Sequence, residues 1–146
     1  MFMTGLTLAD LSRKMADIDF CMLATRTEGG EIAARPMSNN GDVEYQDDSY
    51  FFTWAQSRTV ADIERDPQVS LSFTGSKGLL GKPPIFVAVE ADAQLIRDKS
   101  AFQEHWNPDL ERWFENGVDT PGMVMIKAHA KRMHYWDGED EGELTL

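Results

Sequence analysis

The chain predicts a mainly β (α+β) fold, an antiparallel barrel with peripheral helices, and three observations carry that reading. Stretches such as "YFFTW", "QVSLSFT" and "IFVAV" alternate or run apolar over the length of a strand. Glycine pairs, acidic pairs and prolines punctuate them at hairpin spacing. The 146 residues, 42% of them hydrophobic, suffice for one core but not comfortably for two, so one domain over residues 1–146 is expected. Six or seven strands in one domain must pack as two sheets or close on themselves to hide their edges, and a small barrel is the preferred solution.

Taken in order, "TLADLSRKMADI" begins with Thr7 as a candidate N-cap and Asp10 three residues on, with Leu8, Leu11, Met15 and Ile18 at helical spacing. "DFCMLATRTEGGEIAARPMS" reads as a hairpin about Gly29-Gly30. "VEYQDDSYFFTW" holds a weak strand, a turn at Asp47-Asp48 and an aromatic strand from Tyr50 to Trp54. "SRTVADIERDP" suits a short helix ended by Pro67, and "QVSLSFT" then resumes strand alternation. "GSKGLLGKPP" is a loop, and "IFVAVEADAQLIRD" is long enough for a bent strand. "DKSAFQEHWNPDLERWFENG" gives one or two helices broken near Pro108, with Gly117 as a C-terminal cap. "GMVMIKAHAKRMHYWD" reads as two strands, and the acidic end, residues 137–146, as a solvated tail.

Composition narrows the function classes. A formal charge of −11 repels nucleic acid and anionic membrane surfaces, so neither is an expected partner. An anionic small molecule stays open, because distant charges are screened over roughly 8 Å and a pocket answers to its own groups. The longest apolar run is far short of the about 20 residues that span a membrane. Cys21 is the single cysteine and the N-terminus shows neither a basic leader nor a continuous apolar run, so a cytoplasmic location is expected.

The candidate site lies where "FFTWAQ" turns into the helix. Ser57, Arg58 and Thr59 sit at that joint, where unpartnered helix N–H groups, the macrodipole and a guanidinium together make a phosphate site. The alternative is a plain cap by Ser57 or Thr59, Thr59 with Asp62 matching a capping box, while Arg58 points into water. Arg35 precedes Pro36, which removes a ladder donor and implies an edge, a bulge or a ligand-facing stretch. Arg35 is therefore a second candidate phosphate cation or one half of a surface ion pair.

Other chemistries find less support. "GSKGLLGK" misses the P-loop spacing by one residue, and Lys82 precedes Pro83 instead of Ser or Thr. His129 and His134, an odd number of residues apart, would face opposite sides of one continuous strand, so no metal site is expected. Cys21 in its apolar stretch reads as an inert core thiol. Trp54, Trp106, Trp113 and Trp136 could each wall a flat ligand or fill core.

In order, "CMLATRTEGGEIAARPMS", "YFFTWAQSRTVADIERDPQVSLSF" and "FENGVDTPGMVMIKAHAKRMHYWD" resemble the pyridoxamine phosphate oxidase-like split barrels that bind FMN, and among them the general stress protein 26 type. The resemblance implies a six-stranded antiparallel split β-barrel that forms a homodimer with FMN, or possible FAD, between the subunits. It implies phosphate contacts from Arg35, Ser57, Arg58 and Thr59, and flavin-ring contacts from Pro36, Met37, Thr53 and Trp54. A flavin-dependent oxidoreductase linked to general stress response is the implied function, with small-molecule substrate and catalytic residues unknown. The ending "MHYWDGEDEGELTL" lacks the basic, histidine-bearing segment of true pyridoxamine phosphate oxidases, so vitamin B6 oxidation is not expected. A non-catalytic flavin-binding or sequestering protein, or a barrel holding deazaflavin or haem, are the alternatives.

Overall fold

A computed structural model describes residues 5–39, 48–77 and 79–146. Helix α1 (Leu8–Ala16) starts as its sequence dictates: the Thr7 hydroxyl accepts the Asp10 N–H at 3.1 Å and the Asp10 carboxylate accepts the Thr7 N–H at 2.9 Å. Those Thr7 hydrogen bonds hold the Asp10 carboxyl below its ordinary range. The inner face of the helix buries Leu11 and Met15, and Ile18 follows them into the core.

Strands β1 (Phe20–Arg26) and β2 (Ile32–Ser38) form the expected hairpin, with Gly30 at φ 86° supplying the left-handed turn residue. Strand β3 (Asp48–Trp54) begins at Asp48, which pairs opposite His129, so Asp48 belongs to the ladder and not to a turn. Asp47 and the weak strand expected at "VEYQ" lie outside the described residues. Helix α2 (Arg58–Arg65) ends before Pro67, and β4 (Gln68–Thr74) and β5 (Phe86–Ile96) follow, joined by a loop with a short 3-10 turn at Leu79–Gly81. Helix α3 (Lys99–His105) breaks off before a 3-10 turn at Pro108–Arg112. Gly117, with φ 60°, opens a further 3-10 turn rather than capping a long helix.

Two expectations fail near the C-terminus. Residues 123–137 form one strand, β6 (Met123–Asp137), and the acidic end folds back as β7 (Asp140–Thr145), paired with β6 from Asp137↔Asp140 to Arg132↔Thr145. Residues 137–146 are therefore a paired hairpin arm and not a solvated tail. The physical reason lies outside the local sequence: β6 offers an open edge there, and Gly142 lets β7 lie against the ring of Tyr135, whose hydroxyl accepts the Leu6 N–H at 2.8 Å.

A β-bulge in β6 also overturns the histidine parity. Glu90 pairs with Arg132 and Ala91 with Ala130, so Lys131 is the extra residue. Buried positions shift from Ala128 and Ala130 to Met133 and Tyr135, and His129 and His134 both leave the core face. Each meets a carboxylate, Asp48 at 2.7 Å and Glu141 at 2.8 Å.

The sheet runs β2-β1-β4-β5-β6-β3, antiparallel throughout, with β7 added beside β6. Six strands form the path that the fold class required, and the seventh is the unforeseen C-terminal arm. The path's terminal strands β2 and β3 approach each other without forming a ladder, which leaves a seam. Inside the sheet lies a core that includes Leu23, Phe51, Leu71, Val89 and Met133. A second cluster, built on Phe52, Phe102, Leu110 and Phe114, fixes α3 and the 3-10 turn at 108–112 beside the seam. No helix among the described residues is long and apolar enough to cross a membrane.

Candidate functional site

The seam holds an apolar cleft of about 250 Å³. Pro36, Met37 and Ser38 of β2 form one wall, Phe52, Thr53 and Trp54 of β3 the other, and Trp113 and Phe114 close an end. Two strands that follow each other in the chain but end opposite sides of the sheet path thus deliver the predicted Pro36, Met37, Thr53 and Trp54 to one place. Trp54 tilts over Phe114 with ring centres 4.9 Å apart and stays half exposed, as does Trp113. Trp106 instead packs edge-on to Phe52 in the second core, and Trp136 stacks on His134. Of the four tryptophans, Trp54 and Trp113 line this cleft.

The start of α2 lies three residues beyond Trp54. The Ser57 hydroxyl caps it, accepting the Val60 N–H at 3.3 Å, and Arg58 is its first helical residue. Ser57, Arg58 and Arg65 line an open cleft of about 580 Å³, with Glu28 and Glu31 of the β1–β2 turn on its other side. Arg58 makes no ion pair with any described residue, so its charge is open to a ligand.

Thr59 and Arg35 behave differently from their predicted roles. Thr59 is buried and lines neither cleft. Asp62, 1% exposed, does not close a capping box with it but accepts the Thr25 hydroxyl at 2.7 Å. Arg35 in turn donates to the Thr25 hydroxyl at 2.6 Å and to the Leu23 and Ala33 carbonyls, and its other nitrogen lies 3.6 Å from Asp62. Arg65 reaches the other Asp62 oxygen at 3.4 Å. Arg35 is thus largely compensated by a buried acid, a partner that sequence reading did not identify because Asp62 lies 27 residues away. Its guanidinium fixes β2 to β1 and α2.

Along β2 the surroundings change in order. Arg35 belongs to the Asp62 cluster beside the charged cleft, Pro36 to Ser38 line the apolar one, and Ser38 and Asn39 enter a third, polar chamber. At about 3.3 Å per residue, Arg35 to Asn39 spans roughly 13 Å. Cys21 is buried and takes no part; burial pushes its thiol up to about 12. Among the described residues no group of histidine, cysteine, aspartate or glutamate side chains could hold a metal ion.

An antiparallel sheet with its terminal strands parted at a seam, a ligand-sized cleft in that seam and helices packed outside defines a split barrel. The chain belongs to the pyridoxamine 5'-phosphate oxidase-like family, whose profile it matches over residues 7–146. Solved structures agree. It is similar to general stress protein 26 from Bacillus anthracis str. Sterne, with 25% identity, a TM-score of 0.71, and coverage of 91% of this chain and 93% of that one. A Clostridium acetobutylicum protein related to general stress protein 26 superposes with a TM-score of 0.78 at 14% identity, covering 95% and 94% of the two chains. A heme binding protein from Mycobacterium smegmatis shares the fold at a TM-score of 0.75 and 14% identity, with 98% of this chain matched to 60% of that one. No curated protein matches the sequence.

Proposed function

We propose that the protein binds FMN at the β2–β3 seam and serves as a flavin-dependent oxidoreductase linked to general stress response. The observation that carries this reading is the convergence of Pro36, Met37, Thr53 and Trp54 on one apolar, aromatic-walled cleft, next to a charged cleft where Ser57 meets an Arg58 that has no ion pair among the described residues, at a helix start. A flat heteroaromatic ring suits the first, and a phosphate suits the second. Glu28 and Glu31 temper the charged cleft, so Arg58 is the contact on which anion binding depends. Bound flavin would supply hydride or electron transfer, while the chain's residues position the ring, exclude water from one face and anchor the phosphate.

A homodimer is part of this proposal. The outer face of the sheet leaves Met22, Ile32 and Phe86 exposed around the small residues Ala24, Ser72 and Ala88, a surface that a second copy would cover. The buried, lone Cys21 suits a reducing compartment, and we place the protein in the cytoplasm. β7 carries Asp140, Glu141 and Glu143 and no basic residue, which supports a substrate other than a B6 phosphate. Haem has less to recommend it, since His105, His129 and His134 are absent from the lining of both clefts.

The test is a visible spectrum of the purified protein, then titration of the colourless form with FMN, FAD as competitor and Arg58→Ala in parallel. Saturable quenching of FMN fluorescence, weakened about tenfold or more in the variant, is expected. A protein that ignores FMN overturns the proposal. Bound FMN that no reduced nicotinamide or other donor reduces would move the assignment to flavin sequestration.

A further inference from the structure

Beyond the apolar cleft, and sharing Phe20, Ser38, Leu110 and Trp113 with it, lies a polar chamber of about 240 Å³. Its other walls are Asp19, Asn39, Asn107, Asp109 and Arg112. Neither the family's description nor the resemblance assigns these residues a role.

Charge accounting makes the chamber unusual. Ten of the 14 lysines and arginines reach a carboxylate among the described residues, as 25 acids would lead one to expect. Arg58, Lys77, Lys82 and Arg112 do not, and of these four Arg58 and Arg112 line the clefts beside the seam. Arg112 makes no ion pair with any described residue, Asp109 one helical turn behind it included, and the Asp109 N–H donates to the Asn107 side chain at 2.9 Å at the start of the 3-10 turn. Asn39 is held rigidly: its amide nitrogen donates to the Met15 and Ile18 carbonyls, both at 2.8 Å, and its N–H to the Asp19 carbonyl at 2.8 Å. The chamber therefore offers one planar cation, two carboxylates and a fixed amide around a small volume.

We propose that this chamber is the substrate end of the site and takes a small organic acid. Its carboxylate pairs with Arg112, its hydroxyl or amino donors meet Asp19 and Asp109, and its apolar part faces the shared wall of Phe20 and Trp113. Two carboxylates against one guanidinium leave the chamber net negative, so a plain anion meets repulsion, while an acid that also carries hydrogen-bond donors satisfies Arg112, Asp19 and Asp109 together. The assignment rests on the flavin reading only for what fills the neighbouring cleft.

Calorimetric titration of the full chain, with and without FMN, uses three probes: 4-aminobenzoate, benzoate, which lacks the donor, and 4-aminobenzamide, which lacks the charge. Saturable binding of 4-aminobenzoate is expected, with the other two at least about tenfold weaker. Arg112→Gln should cost about tenfold or more for 4-aminobenzoate, Arg112→Lys less, and Asp109→Asn should erase the preference over benzoate. Circular dichroism checks that each variant is folded, and the exposed position of Arg112 favours that. Equal binding of all three probes, indifference to Arg112→Gln, or no binding up to about 10 mM overturns the proposal. Failure of the flavin reading would show separately, as loss of FMN binding with the probe series intact.

Discussion

Replacing Asp62 by alanine should be among the most damaging single changes in this chain, although no catalytic role is needed to explain it. The carboxylate is 1% exposed and takes a 2.7 Å hydrogen bond from Thr25, with Arg35 at 3.6 Å and Arg65 at 3.4 Å. Arg65 is two-fifths exposed, so that pair is screened and worth at most about 1 kcal/mol. Arg35 has a side chain only 20% exposed, and without Asp62 its charge remains in the wall of the barrel with no compensating acid. Adding the lost hydrogen bond to a charged group, about 1.5–3 kcal/mol, the total comes to about 3–5 kcal/mol. For a domain of this size that lowers the melting temperature by on the order of 10 °C. Urea unfolding at fixed protein concentration measures it, with the Arg35→Met/Asp62→Leu double variant as control. The double variant should recover much of the loss, because the orphaned charge and not the missing pair is the main cost. A change under about 1 kcal/mol in Asp62→Ala, or strictly additive losses in the double variant, would refute the reasoning.

Three further outcomes follow from packing and titration. Gly142→Ala would set a Cβ about 2.6 Å from the Tyr135 ring, so it should loosen β7 at a cost of about 1–3 kcal/mol, read as faster hydrogen exchange from Arg132 to Thr145. Cys21 should resist iodoacetamide in the native protein at pH 8 and react fully in denaturant, since burial holds the thiol far above that pH; rapid native labelling would contradict its placement. His105 is stacked on Tyr50 with ring centres 3.6 Å apart, and burial lowers its proton affinity against smaller opposing effects of Glu104 and Asp48, with Lys127 acting in the same direction as burial. The unfolded chain then binds the proton more readily, so this contribution is complete above pH 6.5 and is lost as pH falls below it through the folded-state value. His105→Gln should flatten that part of the stability profile, and an unchanged slope would assign it elsewhere.

Features written in short-range chemistry are legible in the sequence alone. The Thr7–Asp10 capping box, the Gly29-Gly30 turn and the Pro67 stop each depend on residues a few positions apart, and each holds. The stretch "DEGELT" carries no strong apolar pattern, and only the open edge of β6 makes a strand of it. The site divides the same way. Pro36, Met37, Thr53 and Trp54 share a cleft, as a family likeness can suggest, whereas Arg112 and Trp113 come to the seam from a 3-10 turn placed by the second core. Asp62 misled because its spacing from Thr59 imitates a cap, while its side chain turns inward to Thr25.

The extra residue at Lys131 acts as a phase switch for the last part of the molecule. Residues 126–130 of β6 bury their even-numbered members and residues 133–135 their odd ones, while β5 opposite alternates without interruption from Phe86 to Ala93. Deleting Lys131 would remove the bulge: Ala130 and Arg132 become neighbours, the pairs Ala91↔Ala130 and Glu90↔Arg132 run on without a shift, and Met133 and Tyr135 stay on the core side. Pairing the full-length strand without the bulge would instead carry Met133 and Tyr135 to the outer face, and Leu6 would lose its hydroxyl acceptor and β7 its packing ring. The extra residue is therefore what keeps the apolar residues on either side of it in phase with β5, and a one-residue gap at Lys131 is a milder lesion than a gap within the paired stretches that flank it.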